Sequence, residues 1–318
     1  MIIDALNQFL RAYIVNPTLT PNGDPVGGTA GFLKILQKLC REIKPDRIVI
    51  CWDGQGGSQR RKSVNKNYKS GRKPLRLNRD VKHMTEEQEL QNKIWQQVRL
   101  VDYLNNLPIT QLMFEGVEAD DIISFVCQMP DFDEWQKVIV SSDKDFFQLL
   151  DNKTVAYRPT QHEILNKNNI VEKYGIHPIN FALARAIAGD KSDNLEGVKS
   201  VGLPTIAKRL PFLSEEKTYS IDEVSNFCKF SDSPLRAYQS ILESTEIIKE
   251  NYKLMQLYSP MISAQTKNQI KHIIKNSDFS LDKTSTNGMM LEDGIGNISW
   301  ADLFIAMKRI VYSRKEKK

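Results

Sequence analysis

Arg47-Ile48-Val49-Ile50-Cys51-Trp52-Asp53-Gly54 is the stretch whose reading decides the fold. Five apolar residues follow one another without a polar break, three of them β-branched, and the run stops at an acid and a glycine. A strand with one wet face would alternate; an unbroken run suits a strand covered on both faces, as in a parallel sheet. Two further runs end the same way. Met1-Ile2-Ile3 stops at Asp4, and Lys137-Val138-Ile139-Val140-Ser141-Ser142 stops at Asp143. Helical stretches separate them, such as residues 32–43 with apolar positions 32, 33, 35, 36, 39 and 43. This alternation predicts a doubly wound α/β domain, a mostly parallel sheet flanked by helices. Ligands of such sheets bind beyond the carboxyl ends of the strands, so Asp4, Asp53 and Asp143 are expected at one edge. Any one of them alone is an ordinary strand-end residue, since Asp favours turns.

Between residues 59 and 82 lie Arg60, Arg61, Lys62, Lys66, Lys69, Arg72, Lys73, Arg76, Arg79 and Lys82 against the single acid Asp80. The segment carries more positive charge than the whole chain's net +5, so the remainder is slightly acidic. One basic stretch on an acidic body is the electrostatic footprint of a polyanion partner. A solvated basic loop is the plain alternative. Tyr68 among the cations favours nucleic acid, because an aromatic face can stack on a base. A helix then opens with the capping box Thr85-Glu86-Glu87-Gln88. Leu90, Ile94, Val98, Val101 and Leu104 form its apolar stripe, and Pro108 follows its end.

More acids follow at helix and strand ends: Glu118, Asp120 and Asp121 at a helix start, Asp145 beside Asp143, then Asp190 and Asp193 before a glycine-punctuated turn. Acids in a first helical turn commonly answer the helix dipole. As a set of nine carboxylates facing one cleft they would repel one another unless cations intervene. Oxygen donors without His or Cys select hard ions, Mg²⁺ or Mn²⁺. Two such ions can activate a water and stabilise a leaving oxygen in phosphodiester hydrolysis. The cysteines Cys40, Cys51, Cys127 and Cys228 are scattered and read as reduced packing residues, not a zinc site or disulfide framework.

These motifs together resemble the flap-endonuclease and 5′–3′ exonuclease superfamily, closest in style to the phage RNase H-type 5′ nucleases, with a PIN-like core. The resemblance rests on Asp4, Cys51-Trp52-Asp53-Gly54, Glu118-Ala119-Asp120-Asp121, Ser142-Asp143-Lys144-Asp145-Phe146 and Gly189-Asp190-Lys191-Ser192-Asp193-Asn194, and covers roughly residues 1–210. It implies Asp53, Glu118, Asp120 and Asp143 as ligands of a first Mg²⁺, with Asp4 as a direct or water-mediated ligand. It implies Asp145, Asp190 and Asp193 around a second, Asp143 shared, and Asp121 acting through water. The basic stretch resembles the family's arch or gateway, here residues 59–100, with Lys69 and Arg72 reaching the scissile phosphate and Arg60, Arg61, Lys66, Tyr68 and Lys73 on the strand. Residues 179–210 resemble a helix–three-turn–helix that grips duplex phosphates, often around K⁺, through Gly197, Lys199, Gly202 and Lys208. Successive backbone N–H groups in such turns do form anion nests. This chain departs from the family pattern at Ala5 and Ser200, each in place of a common Gly, and at Leu203-Pro204 in place of Pro-Lys.

The expected organisation is an α/β nuclease core over 1–185 and a helical DNA-binding region over 186–318. The expected activity is structure-specific 5′ cleavage of flaps and of RNA primers on DNA during replication. Expected partners are branched DNA, with a single-strand-binding protein or sliding clamp as protein candidates, and the chain is expected to act as a monomer. No apolar run spans a bilayer and Asp4 interrupts any leader, so a cytoplasmic setting is expected, that of the host if the chain is phage-encoded. A PIN-type ribonuclease and a catalytically inactive branched-DNA-binding protein are the rival readings. The first leaves the basic stretch and glycine turn unexplained, and the second leaves the acids unexplained.

Overall fold

In the computed structural model of the protein, residues 1–72, 76–77, 84–231, 235–277 and 279–315 are described. Lys73, Arg79 and Lys82 of the basic stretch lie outside them. The chain begins with β1 (Ile2–Asp4), α1 (Ala5–Val15), α2 (Gly27–Ile43), β2 (Val49–Cys51), α3 (Gln59–Val64), α4 (Glu86–Asn105) and β3 (Thr110–Leu112). It continues through α5 (Ala119–Cys127), β4 (Lys137–Val140), a 3₁₀ turn (Lys144–Leu149), β5 (Thr154–Arg158), β6 (Glu163–Leu165), α6 (Lys167–Tyr174) and α7 (Pro178–Ala188). Helices follow: α8 (Leu203–Arg209), α9 (Ile221–Phe230), α10 (Arg236–Glu243), α11 (Thr245–Met255), α12 (Ala264–Asn276), α13 (Lys283–Glu292) and α14 (Ala301–Lys315).

Two compact units share this chain. The first comprises Met1–Trp52, Lys73–Met113 and Gln265–Lys318. Its strands are parallel in the order β3, β2, β1, with Ile3 opposite Ile50 and Asp4 opposite Cys51. All three residues of β1 and of β2 are buried, as an unbroken apolar run requires. Phe9, Tyr13, Phe32, Leu33 and Leu36 pack beside them with almost no exposure.

The second unit comprises Asp53–Arg72 and Phe114–Ala264. Here β4 pairs in parallel with β5, and β6 closes antiparallel against β5. Behind them the rings of Phe147, Tyr174 and Phe181 meet edge to face or tilted within 6 Å, a favoured aromatic geometry. The sheet is thus mostly parallel and flanked by helices, and no strand follows Leu165 among the described residues. Three strands escaped sequence reading. β3 and β6 are three residues each, and β5 includes the polar ends Thr154 and Arg158.

The capping box of α4 forms: Thr85 accepts from the Gln88 N–H at 3.2 Å and Gln88 accepts from the Thr85 N–H at 2.8 Å. The first part of its stripe does not face the core, although Leu104 at its end does. Leu90, Ile94 and Val98 are exposed, whereas Gln96, Leu100, Tyr103 and Leu104 are buried. Gln96 turns the helix. Its Oε1 accepts the N–H of Gly28 at 2.7 Å at the start of α2, and its carbonyl accepts the Thr29 hydroxyl at 2.9 Å. Satisfying that helix start outweighs the apolar stripe, because an unpaired buried amide costs about 1–3 kcal/mol.

Candidate active site

The second unit gathers the acids. Val117 O accepts the Gly54 N–H at 3.0 Å, setting Asp53 beside the start of α5. There the Asp53 carboxylate accepts the Ala119 N–H at 2.8 Å. Gly54 is required for this approach, since a Cβ would lie 1.7 Å from the Phe114 carbonyl oxygen. Asp143 caps the 3₁₀ turn after β4, its Oδ1 accepting the Asp145 N–H at 2.8 Å. After α7, Asp190 and Leu195 exchange two backbone hydrogen bonds and close a six-residue loop that carries Asp193.

The basic stretch is fastened to these acids. Lys69 sits in the left-handed region at φ 54°, and its N–H donates to the Asp193 carbonyl at 2.8 Å. Its ammonium donates to Glu118 Oε1 at 2.7 Å. Arg72 pairs with the Asp193 carboxylate and donates from Nε to Ser192 O at 3.0 Å. Asn194 donates to the Asn67 carbonyl and the Ser70 hydroxyl. The loop of the second acid group and the foot of the basic stretch are therefore one latched structure.

Two arginines complete the counter-charge. Arg61 donates from Nη1 to Glu118 and to Asp121, both at 2.7 Å, and from Nη2 to Asp121 at 3.1 Å. Arg185 donates from Nε to Asp145 at 3.0 Å and also pairs with Asp190. Sequence reasoning missed Arg185. Its signal, a cation in the last turn of α7, reads equally well as a helix-dipole partner.

Charge balance among the acids is incomplete. Burial, then the Asp143 carboxylate, push Asp145 up to about 7 despite Arg185. Burial also raises Asp193, with Asp190 and Asp143 adding to it against Lys69 and Arg72. Glu118 goes the other way: burial would raise it, but Arg61 and Lys69 bring it below the usual range. Excess negative charge on oxygen donors alone is the chemistry that attracts a hard divalent cation, although among the described residues no three of these acids stand as a ready-made metal cage.

The structure thus brings together Asp53, Glu118, Asp120, Asp143, Asp145, Asp190, Asp193, Lys69 and Arg72. Lys69 feels Asp120 most strongly of its neighbouring acids. Asp4 belongs to the first unit, where its buried carboxylate caps α1 by accepting the Asn7 N–H at 3.1 Å. Two expectations need correction. Arg61 is buried and its guanidinium is spent on Glu118, Asp121 and the Leu254 carbonyl, leaving no face for DNA. Tyr68 is 3% exposed, packed with Leu195, Leu254 and Met255, and donates to Glu118 Oε2 at 3.1 Å, so its ring cannot receive a base. Arg60 and Lys66 are exposed, as are Lys199, Gly202 and Lys208. Arg60 reaches the Met261 carbonyl at 2.6 Å. Lys73 lies outside the described residues.

Residues 1–175 match the family profile of the 5′-3′ exonuclease N-terminal, resolvase-like domain. The chain belongs to the 5′–3′ exonuclease family. Among curated relatives of this family member, DNA polymerase I of Caldicellulosiruptor bescii is 32% identical over 235 residues, 71% of this chain but 26% of that enzyme's length. The 5′-3′ exonuclease of Aquifex aeolicus is 26% identical over 285 residues, 88% of each chain. Among solved structures, the T5 D15 protein co-crystallised with metal ions superposes with a TM-score of 0.67 at 18% identity, covering 86% of this chain and 98% of that one. That likeness concerns the fold.

Proposed function

We propose that the protein is a structure-specific 5′ nuclease that hydrolyses phosphodiester bonds in 5′ flaps and RNA primers by a two-metal mechanism. One observation carries this reading: cations of the basic stretch, Lys69 and Arg72, already rest on carboxylates of both acid groups, Glu118 and Asp193. A phosphate bound between those groups would meet the same cations.

Asp53, Glu118, Asp120 and Asp143 would hold one Mg²⁺, and Asp145, Asp190 and Asp193 the other, with Mn²⁺ as a substitute. The ions would supply an activated water and charge for the leaving oxygen. The chain's own part is electrostatic. Lys69 and Arg72, held at Glu118 and Asp193, would supply positive charge to the scissile phosphate, where the transition state gathers negative charge. Arg60 and Lys66, exposed at the foot of the stretch, would steer the 5′ strand. Lys199 and Lys208, with the N–H groups around Gly202, would hold the duplex, and K⁺ at that turn belongs to the same reading. Chemistry then falls within 1–185 together with Asp190 and Asp193 just beyond it, and duplex grip within the rest of 186–318. Branched DNA is the partner, bound by a monomer in a cytoplasmic setting.

A 5′-labelled flap substrate tests this directly, with products sized in Mg²⁺, in Mn²⁺ and in excess chelator. Cleavage near the flap base that stops in chelator is the expected result. Turnover in chelator, or cleavage of plain single-stranded RNA in preference to flaps, would overturn it.

A further inference from the structure

The basic stretch contains one residue that its neighbours do not resemble. Arg61 is 3% exposed, whereas Arg60 and Lys62 beside it are exposed. Its guanidinium turns inward, to Glu118 Oε2, both oxygens of Asp121, and the carbonyl of Leu254 at 2.9 Å near the end of α11. Asp121 is as fully engaged. Its Oδ2 receives Arg61 Nη1, and its Oδ1 receives Arg61 Nη2 and the Met261 N–H at 2.9 Å. At 1% exposure its carboxylate is buried, with both oxygens taken up by these internal donors.

Glu118 is divided between two kinds of partner. Its Oε2 is held by Arg61 and by the Tyr68 hydroxyl, both buried. Among the described residues its Oε1 is held by the ammonium of Lys69, whose side chain is the more exposed of the two cations, 19% against 4%. One oxygen is fixed, and the other is met by a cation that can leave.

We propose that Arg61 is a positioning residue that clamps Glu118 through Oε2 and thereby presents Oε1 to a divalent cation, with Asp121 serving as the buried counter-charge of Arg61 and not as a metal ligand. This rests on the metal-site reading above. A buried guanidinium suits the task because its planar fork can bond two carboxylates in fixed directions, which a lysine ammonium cannot. Removing a group that orients a ligand typically costs about 10–100-fold in metal affinity. Asp121 must then be retained for charge: deleting one partner of a buried pair leaves the other uncompensated.

The test measures Mn²⁺ binding to the full chain by calorimetry, alongside DNA affinity in chelator and the unfolding midpoint. Arg61→Met should weaken the Mn²⁺ site by about 10-fold or more, with flap affinity in chelator unchanged, and Arg61→Lys should recover part of the loss. Asp121→Asn should lower the unfolding midpoint, because it removes the counter-charge of Arg61 and turns one of the two accepting oxygens into a donor, yet the folded variant should bind Mn²⁺ far better than Asp120→Asn does. Wild-type Mn²⁺ affinity in Arg61→Met, or a loss of flap affinity with a shallower salt dependence, would overturn the assignment. So would an Asp121→Asn variant as defective as Asp120→Asn. If Arg61→Met does not fold, the Asp121→Asn comparison decides alone. Calorimetry also separates this proposal from the nuclease reading, since ligand positioning is measured whether or not flaps are cleaved.

Discussion

At the scale of single residues, the site is a set of acids whose excess charge is only partly answered, and the residues that answer it differ in kind. Asp143 both caps a 3₁₀ turn and faces its fellow acids. Asn caps as well as Asp does, so Asp143→Asn should leave the unfolding midpoint almost unchanged and abolish cleavage, while flap affinity holds or tightens as repulsion falls. A variant retaining more than about a hundredth of the wild-type rate, beyond what loss of one member of a catalytic unit usually leaves, would show that this carboxylate is not part of the chemistry. Lys69 is the complementary case. Its ammonium rests on Glu118 here, and in the proposed reaction it would turn to the phosphate, so its loss should fall on the chemical step. Lys69→Ala should lower the single-turnover rate at saturating enzyme far more than it lowers affinity. Equal rates for variant and wild type under those conditions would remove Lys69 from the mechanism.

At the scale of elements, α4 and the glycine turn show how position overrides pattern. Ile94 belongs to the apolar stripe of α4 yet is 43% exposed, while Leu100 is fully buried. Ile94→Ser should therefore change stability by roughly 0.5 kcal/mol or less, against about 2–5 kcal/mol for Leu100→Ala. Chemical denaturation of both variants checks this, and a comparable loss from Ile94→Ser would mean that the stripe is covered. In the glycine turn, Gly197 and Gly202 have opposite reasons for being glycine. A Cβ on Gly197 would lie 2.0 Å from the Ala188 carbonyl oxygen, so Gly197→Ala should destabilise the second unit outright. Gly202 caps α8 in open space, its nearest neighbour to a new Cβ being Pro204 at 3.8 Å. Gly202→Val should fold normally and lose affinity for duplex-bearing flaps much more than for single strands. Equal losses on both substrates would make the turn a connector. Ser200, where the family commonly has glycine, accepts φ 63° here, a conformation that costs a non-glycine residue roughly 1–2 kcal/mol.

At the scale of the whole molecule, the acids make stability depend on pH and on metal together. Burial, reinforced by Asp143, raises Asp145 from 3.8 to about 7, so the folded protein keeps a proton that the unfolded chain has released over that interval. The stabilisation from this group is complete below the unfolded value and is lost as pH rises through the folded one. Asp193, raised chiefly by burial, adds to the same slope. Glu118 and Asp190 are both lowered against the burial that would raise them, so they act only at lower pH. In chelator, the unfolding midpoint should fall from about pH 5 to about pH 8, and Asp145→Asn should flatten that fall. Excess Mg²⁺ should reverse it, because a ligand that binds only the folded state stabilises by mass action. Identical slopes for Asp145→Asn and wild type would show that Asp145 is not the group responsible.

The sequence by itself determined what depends on near neighbours along the chain. Unbroken apolar runs ending in acids, the capping box at Thr85, the basic stretch and the glycine-marked loop were all legible, because strand burial, helix capping and turn geometry are settled within a few residues. From them came the parallel sheet and nine acids, of which eight lie in the second unit and Asp4 in the first. Tertiary structure decided which cation meets which acid. Arg61 and Asp121 are 60 residues apart, and Arg185 and Asp145 are 40 apart. A run of ten cations does not reveal that one of them is buried against carboxylates while its neighbours face solvent. The same holds for α4, where a buried amide bond to the start of α2 set the rotation that the apolar spacing alone would have set differently. Charge pairing and desolvation depend on three-dimensional neighbours, and only folding selects those neighbours.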